Sequence, residues 1–217
     1  MKKKTILHKN YLKKKIFNKS FFLKSFNSIF YEIKKNFNVK KNTYHILSKK
    51  FRFNFKLKDL KKFNKFENIV LVGMGGSILG SKAIYSFLKE KIKKKIIFFD
   101  NLDKDKLNNF KKENNKKNCL FIVISKSGNT IETISNFVDL KIIKKNAKNI
   151  IIISEKNENI LYSIARKYNL FFIEHKKYLG GRYSALSEVG IVPSYFMGIN
   201  IKKLRSNLQK YFNNKEK

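Results

Sequence analysis

The chain has 217 residues, and 42% of them are hydrophobic, which is enough to fill the core of one domain with appendages or of two small domains. Lysine and arginine number 50 against 15 acidic residues, which gives a formal net charge of +35. Such a charge suggests nucleic-acid binding, but the abundant Lys, Asn, Ile and Phe are residues of A/T-rich codons, and the lysines are spread along the whole chain. We therefore predict no specific nucleic-acid partner, only weak attraction to polyanions.

The single cysteine, Cys119, excludes an internal disulfide framework and suits a reducing cytoplasm. It stands at the start of an apolar segment, so we predict a buried structural thiol. Lysines interrupt the N-terminal apolar residues, which makes them a poor signal peptide. No stretch approaches the ~20 apolar residues of a membrane span. We expect a soluble, cytoplasmic protein that has no membrane partner.

The N-terminal part of the chain is rich in Lys, Asn and Phe and only weakly periodic. Within it, "IFNKSFFLKSFNSIFYEIKKNF" has apolar residues at three- and four-residue spacings, which predicts an amphipathic helix. We interpret residues 1–65 as a helical arm. Residues 66–217 are then the main domain, with a C-terminal helical extension.

Five short apolar segments follow, and each is separated from the next by a helical pattern. The predicted strands are "NIVLVGM", "KKIIFFD", "CLFIVIS", "NIIIIS" and "LFFIE", and the third intervening helix is "TIETISNFVDLKIIKK". Continuously apolar strands that alternate with helices indicate a parallel sheet covered on both faces. Right-handed crossovers then build a three-layer, doubly wound α/β domain around a five-stranded parallel sheet. Ligands of such sheets bind beyond the carboxyl ends of the strands.

The loop after the first strand is "GMGGSILGSK". A dinucleotide-binding fingerprint would need a third glycine where this chain has Ile78, and a nucleotide P-loop would need Gly-Lys-Ser/Thr where this chain has Gly-Ser-Lys. Two features remain: Gly75 and Gly76 let the backbone approach a ligand closely, and Ser77 offers a hydroxyl at a helix start. The alternative is a plain tight turn between strand and helix.

The loop after the third strand, "SKSGNT", collects hydrogen-bond donors. Ser125, Ser127 and Thr130 present hydroxyls, Gly128 permits a backbone nest, and a helix begins at Thr130 or just after it. Exposed amides at a helix start favour an anion, and Lys126 adds positive charge. We predict a phosphate-binding loop. The alternative, in which Thr130 only caps the helix, leaves the other hydroxyls unexplained.

The segment after the fifth strand is "LGGRYSALSEVGIVPSYFMGIN", in which Gly180 and Gly181 bring Arg182 to the ligand edge of the sheet. An arginine there is a second contact for an anion, or stabilises negative charge that develops during a reaction. The alternative is an ordinary surface arginine.

Together, the three loops resemble the glucose-6-phosphate isomerase family. "GMGGSILG" is similar to the family's glycine-serine loop, "SKSGNTIET" to its phosphate loop and "GGRYSALSEVG" to its arginine segment, and the three occur in the family's order. The resemblance covers residues 68 to about 200. It implies a sugar isomerase domain, a flavodoxin-like fold with a five-stranded parallel sheet.

The resemblance also implies the reaction and its residues. The family interconverts glucose 6-phosphate and fructose 6-phosphate through an enediolate, a glycolytic step that needs no cofactor and no metal. A hexose 6-phosphate is the implied substrate, and a homodimer is expected for the full-length family. Arg182 is the implied catalytic residue, which stabilises the enediolate. The implied substrate-binding residues are Gly76, Ser77, Ser125, Lys126, Ser127, Gly128, Asn129 and Thr130.

Two departures from the family pattern leave alternatives open. The best-known members have Lys-Thr-Phe-Thr-Thr after the loop's first serine, whereas this chain has Lys-Ser-Gly-Asn-Thr, a form closer to phosphoglucose/phosphomannose isomerases. The resemblance also implies a second domain that supplies a glutamate base, a histidine from the partner subunit and a lysine. Neither Glu188 nor His175 matches those positions: we expect Glu188 to face solvent or to pack at a helix start, and His175 to end a strand.

The sequence therefore predicts an N-terminal portion of the isomerase that is inactive alone. The alternative functions are a stand-alone sugar-phosphate-binding module without catalysis and a protein like the phosphoglucose/phosphomannose isomerases.

Overall fold

The computed structural model describes residues 19–113 and 116–206, and a sheet of five parallel strands lies at their centre. The strand order is β2-β1-β3-β4-β5. The strands are β1 (Asn68–Gly73), β2 (Lys95–Phe99), β3 (Cys119–Ile124), β4 (Ile150–Ser154) and β5 (Phe171–Glu174). Each coincides with a predicted apolar segment to within a residue or two, so the predicted doubly wound five-stranded parallel sheet is confirmed.

Helices surround this sheet, and all but the first help to cover its two faces. They are α1 (Lys19–Asn36), α2 (Leu57–Leu60), α3 (Gly76–Leu88), α4 (Lys104–Glu113), α5 (Ile131–Asp139), α6 (Ile160–Lys167) and α7 (Glu188–Phe196). Short 3₁₀ turns lie at Thr43–Leu47, Lys61–Phe63, Lys89–Lys91, Lys116–Asn118 and Gly181–Tyr183, and residues 201–206 are helical. The cluster on one sheet face includes side chains of α2, α3 and α7, and the cluster on the other includes those of α4, α5 and α6.

The strands are apolar at consecutive positions because both faces of the sheet are buried. In β1, Ile69 and Leu71 belong to one core cluster, whereas Val70 and Val72 belong to the other. The same alternation occurs in β3, where all six residues are buried. Cys119 begins that strand fully buried, and burial raises the pKa of its thiol. The prediction of a buried thiol is confirmed.

The N-terminal part of the chain contributes both an exposed helix and core residues. The predicted amphipathic helix is present as α1, and residues 1–18 lie outside the described part of the chain. Leu60, Phe63 and Phe66 join the core beneath the sheet. No helix within residues 19–113 and 116–206 is both long enough and apolar enough to cross a bilayer.

The third predicted helix is shorter than its sequence pattern suggested. The pattern extends through "KIIKK", but α5 ends at Asp139. Lys141 has a positive φ of 50°, and its N–H donates to the Val138 carbonyl, so the chain turns instead of continuing the helix. The turn keeps Leu140 and Ile142 buried in the core.

The order of the strands fixes where a ligand can lie. The chain moves from β1 outward to β2, then returns to β3 on the other side of β1, so the direction of winding reverses between β1 and β3. Crossover loops diverge at such a point and leave a crevice beyond the carboxyl ends of the strands. The loops after β1 and β3 flank this crevice.

Helices α3 and α7 are neighbours on one face of the sheet, and the segment before α7 approaches α3 closely. The Ser81 hydroxyl of α3 donates to the Val189 carbonyl of α7 at 3.2 Å. A Cβ on Gly80 would lie 2.6 Å from the Cβ of Ala185 and 2.8 Å from its Cα. Since Ala185 follows the Arg182 turn, this packing sets how close that turn lies to α3.

We predict that Gly80→Ala destabilises the protein although alanine is the better helix former. The clash with Ala185 should cost about 1–3 kcal/mol, more than the gain of about 1 kcal/mol in helix preference. Chemical denaturation measures the difference. Ser86→Ala, at an exposed position of the same helix, is the control and should be neutral or stabilising. Gly80→Ala with Ala185→Gly should recover part of the loss, and a stabilised single variant would contradict the packing.

Candidate functional site

The first and third predicted loops meet through their backbones. Gly75 has φ 52° and ψ −125°, a conformation that favours glycine, and Gly76 begins α3. A Cβ on Gly76 would collide with the carbonyl group of Gly181 and lie 2.9 Å from the Arg182 nitrogen. The Ser184 hydroxyl lies 2.6 Å from the Gly181 oxygen and 3.3 Å from the Gly76 oxygen. The glycine-serine loop and the arginine segment therefore form one surface.

The hydroxyls of the second loop form a single cluster. Ser125 Oγ lies 2.8 Å from Thr130 Oγ1, and Ser127 Oγ lies 3.5 Å from each of them. The Gly128 N–H donates to Ser125 Oγ at 3.1 Å, and the Asn129 N–H donates to Ser127 Oγ at 3.3 Å. The structure thus brings together the residues that the sequence predicted for this loop.

Two helices begin beside this loop, and their N-termini differ. The first N–H groups of α6 are occupied: that of Ile160 donates to Asn129 Oδ1 at 2.9 Å, and that of Leu161 donates to the Gly128 carbonyl at 3.1 Å. At the start of α5, Thr130 makes no side-chain capping bond. The N–H groups of residues 131–133 have no partner within the described part of the chain. The positive end of α5 is therefore open to an anion.

Gly128 explains one departure from the family pattern. Its φ is 69°, and a Cβ at this position would overlap the side-chain amide of Asn159, the residue that caps α6. The Asn159 side chain accepts from the Tyr162 N–H at 2.9 Å and donates to the Glu155 carbonyl at 2.8 Å. Where the best-known members have phenylalanine, this chain therefore needs glycine.

Lys126, the second residue of this loop, forms an ion pair with a carboxylate. Its Nζ lies 3.5 Å from Glu155 Oε1, and its carbonyl accepts from the Glu155 N–H at 3.0 Å. A second lysine–carboxylate pair joins Lys82 of α3 to Asp100, which follows β2. Burial would raise the pKa of Asp100, but the hydrogen bond and the charge of Lys82 outweigh it and lower that pKa.

Arg182 lies in the 3₁₀ turn Gly181–Tyr183 and is exposed. Its guanidinium makes no hydrogen bond and no ion pair within residues 19–113 and 116–206. The turn itself is fixed, because the Tyr183 N–H donates to the Gly180 carbonyl at 2.9 Å. An arginine that is exposed at its tip and anchored at its backbone can contact a ligand in the adjoining crevice.

The expectation that Glu188 faces solvent is wrong, whereas its placement at a helix start is confirmed. Glu188 is the first residue of α7 and is fully buried. Its Oε1 accepts from the Asn54 N–H at 2.8 Å and lies 3.7 Å from Lys176 Nζ. Burial raises the pKa of this carboxyl group despite those contacts. No local pattern pointed to Asn54, which lies far away in the sequence.

His175 follows β5 directly, as expected. It is 2% exposed, its Nδ1 lies 3.0 Å from the Lys176 carbonyl, and its Nε2 has no partner among the described residues. Burial is the main cause that lowers its pKa to about 4. The imidazole is therefore neutral near pH 7 and enclosed below the loop surface.

A groove of about 580 Å³ lies at the opposite edge of the sheet, where β4 and β5 begin. It is lined mainly by lysine and asparagine side chains together with Phe63 and Phe171. None of the three loops reaches it. The carboxyl edge, not this groove, brings the predicted site residues together.

The fold is thus a doubly wound parallel sheet with a hydroxyl-rich loop at its switch point. The model of the phosphoglucose isomerase family matches residues 34–210. The glucose-6-phosphate isomerase of Acholeplasma laidlawii is 39% identical over 168 residues, which are 71% of this chain and 39% of that protein. That of Methanocaldococcus jannaschii is 35% identical over 146 residues, 66% of this chain and 36% of that protein.

Solved structures agree with this fold. The glucose-6-phosphate isomerase of Chlamydia trachomatis has a TM-score of 0.57 and 27% identity over 69% of this chain and 29% of its own. A hypothetical protein from Thermus thermophilus has a TM-score of 0.71 at 21% identity, over 89% of this chain and 48% of its own. The chain belongs to the phosphoglucose isomerase family. It spans between about a quarter and two-fifths of the length of the curated relatives it matches.

We predict that His175 makes the protein sensitive to acid. The pKa of His175 is about 4 when folded against an ordinary value of 6.5. Between those pH values the unfolded chain binds a proton that the folded chain does not, so stability falls as the pH falls from 6.5 to 4. The loss should reach about 3 kcal/mol.

Urea denaturation across this pH range should show the loss in the parent protein and much less of it in His175→Leu. The charged neighbours of His175, namely Lys126, Glu155 and Lys176, are common to both proteins and largely cancel in the comparison. Equal pH slopes for the two proteins would contradict the prediction.

Proposed function

We propose that this protein acts as a glucose-6-phosphate isomerase and that the described residues form the part of its site that holds the substrate phosphate. The observation that carries the proposal is the cluster of three hydroxyls beside an open helix start, in which the N–H groups of residues 131–133 are free of partners in the described chain. Phosphate oxygens accept hydrogen bonds from both kinds of donor.

In this proposal, the phosphate of a hexose 6-phosphate lies over the loop Ser125–Thr130. The hydroxyls of Ser125, Ser127 and Thr130, which now bond one another at 2.8–3.5 Å, turn toward its oxygens. The N–H groups at the start of α5 complete the cradle, and Lys126 adds positive charge from its position beside Glu155. Asn129 and Gly128 keep the loop docked on α6.

The sugar then extends toward the surface that Gly76 and Ser77 share with the arginine segment. Aldose–ketose exchange moves a proton from carbon 2 to carbon 1, and negative charge develops on the oxygens of the enediolate between these steps. We assign stabilisation of that charge to Arg182, whose exposed guanidinium is free of partners in the described chain. Donors aimed at developing charge are a large source of rate enhancement.

The base that removes the proton lies, in this proposal, outside the residues described here. Glu188 is fully buried and bound to Asn54 and Lys176, and His175 is enclosed, so neither presents a free group to the crevice. A second domain, as the family resemblance implies, would supply the base. Residues 1–65 would serve as an arm and residues 66–217 as the first sugar isomerase domain, within a homodimer that needs no cofactor and no specific nucleic acid.

The phosphate group is common to all hexose 6-phosphates, so binding at this loop alone does not select among the sugars. The Gly128 form of the loop, which resembles phosphoglucose/phosphomannose isomerases, makes mannose 6-phosphate the first competing ligand to compare with glucose 6-phosphate. The alternative, a sugar-phosphate-binding module without catalysis, predicts the same binding but no turnover when the remaining part of a family member is supplied.

We predict that Ser125→Ala with Thr130→Ala weakens binding of glucose 6-phosphate. Hydrogen bonds to a charged group are worth about 1.5–3 kcal/mol each, so losing two hydroxyls should lower the affinity by at least ten-fold. Isothermal titration calorimetry on the 217-residue chain measures this affinity.

Ser86→Ala, which removes an exposed hydroxyl from α3, is the matched control and should bind like the parent protein. Glucose should bind poorly to all of them because it lacks the phosphate. Unchanged affinity for glucose 6-phosphate in the double variant would contradict the proposal that this loop binds the phosphate.

We predict that Arg182→Ala affects a charged analogue of the intermediate more than the substrate. A five-carbon aldonate 5-phosphate carries a carboxylate where the enediolate charge develops. Its affinity should fall by about 10²-fold, the scale of losing one preorganised donor, whereas the affinity for fructose 6-phosphate should change by less than about three-fold.

Arg166→Ala removes an exposed arginine at the far end of α6 and controls for the loss of net charge. If Arg182→Ala weakens both ligands equally, Arg182 serves general binding and not the intermediate.

A further inference from the structure

Glu188 is a buried carboxylate that the proposed reaction does not use. Its exposed fraction is 0%, and its second oxygen, Oε2, has no hydrogen-bond partner among the described residues. Burying a carboxylate is costly unless its contacts are strong. A fully buried carboxylate at this point in the fold therefore needs a physical reason.

The contacts of Glu188 close the base of the loop that carries Arg182. Lys176 stands before that loop and Glu188 stands after it, and their charged atoms lie 3.7 Å apart. Asn54 joins both ends: its N–H donates to Glu188 at 2.8 Å, and its Oδ1 accepts from Lys176 Nζ at 2.5 Å. The Asn54 amide also donates to the Glu174 carbonyl at the end of β5, at 3.1 Å. The loop thus leaves and re-enters the domain at one polar junction.

The segment that contains Asn54 also packs against the Arg182 loop. Leu179, within the loop, is fully buried against Ile46 and Phe51. Arg205 donates to the Leu186 carbonyl of the loop at 3.2 Å and to the Ile46 carbonyl at 2.9 Å. Its guanidinium also lies 5.2 Å from the centre of the Phe51 ring. Residues 46–54 are therefore a platform on which the Arg182 loop lies.

We infer that Glu188 is a positioning residue, which holds the Arg182 loop in the geometry that favours a negatively charged intermediate over the substrate. The inference rests on the proposed function of Arg182. The turn of Arg182 is already pressed against Gly76 at its tip, so a junction at its base fixes the remaining freedom of the loop. An arginine whose loop is held at both ends starts from a defined backbone position, so less reorganisation is needed to aim its donors.

The first experiment is ligand-free hydrogen exchange on the 217-residue chain. In Glu188→Ala, the amides of residues 179–187 should exchange at least about ten-fold faster, because a hydrogen bond to a charged group is lost at the base of the loop. Those of residues 125–130 should be unchanged. Glu188→Gln should keep the parent rates, because the glutamine carbonyl still accepts from Asn54. Unchanged exchange in Glu188→Ala, or equal acceleration at both loops, would overturn the inference.

The second experiment compares two ligands by calorimetry: fructose 6-phosphate and the aldonate 5-phosphate. Glu188→Ala should reduce the preference for the aldonate, which is the ratio of its affinity to that of fructose 6-phosphate, by about ten-fold. This loss is in the same direction as that of Arg182→Ala but smaller. Glu188→Gln should keep the preference of the parent protein. The double variant with Arg182→Ala and Glu188→Ala should have the same preference as Arg182→Ala alone. A purely structural role would weaken both ligands by the same factor and would overturn the inference.

Lys176→Met keeps Glu188 and removes the bridging cation, so it replaces Glu188→Ala if that variant does not fold. It should show the same loss of preference and the same faster exchange, and parent-like behaviour in both assays would overturn the inference. Failure of the proposed function is recognised separately. In that case the parent protein binds neither ligand, while the hydrogen-exchange result still decides whether Glu188 holds the loop.

Discussion

The candidate site depends on one backbone contact, the approach of Gly76 to Gly181. These residues belong to the first and last of the three loops. Neither has a side chain that would keep the two backbone segments apart. A single Cβ on Gly76 would have to displace the Gly181 carbonyl group. The Ser184 hydroxyl, which reaches the carbonyls of both glycines, then secures the contact. Without this approach, Arg182 would stand farther from the start of α3 and from the crevice beside it.

Electrostatics at the neighbouring loop follow from which donors are already used. Helices α5 and α6 both begin there, so both could attract an anion through their N-terminal amides. The loop itself consumes the start of α6, through Asn129 and the Gly128 carbonyl. It leaves the start of α5 open and turns its hydroxyls to the same side. The choice between two equivalent helix ends is therefore made by local hydrogen bonding, not by the helix dipoles alone.

The sheet and the three loops could be predicted from the sequence because their signals are local. Five apolar segments of strand length, each followed by a helical pattern, require a parallel sheet with two covered faces. The strand order β2-β1-β3-β4-β5 then places the loops after β1 and β3 at one edge. The hydroxyls of "SKSGNT" meet because they lie within six consecutive residues.

The junction at Glu188 could not be predicted because its contacts are long-range. Asn54 and Glu188 are separated by 134 positions, and nothing in the periodicity of either segment indicates the other. The polar character of Glu188 favoured an exposed position, and only the fold shows that a backbone N–H and Lys176 meet it in the interior. The early end of α5 has a similar origin, because a turn at Lys141 that keeps Leu140 and Ile142 buried overrides a pattern that would otherwise continue the helix.

Some of the few carboxylates of this basic chain pair with lysines near the carboxyl edge of the sheet. Among residues 19–113 and 116–206, the lysine–carboxylate ion pairs are Lys82–Asp100, Lys126–Glu155 and Lys176–Glu188. The three carboxylates lie after β2, after β4 and at the start of α7, and all three pairs adjoin the carboxyl edge of the sheet. Each pair offsets the charge of its lysine near that edge. A net charge of +35 attracts polyanions without selectivity. The paired lysines contribute less diffuse charge at this edge. In the proposed function, the choice among anions therefore rests on the directional donors: the hydroxyls, the open amides of α5 and the guanidinium of Arg182. The hydroxyls bond one another and the amides belong to a helix, so their positions are defined, and the backbone of Arg182 is anchored. We propose that this arrangement matches a compact phosphate with a sugar attached better than an extended polyanion.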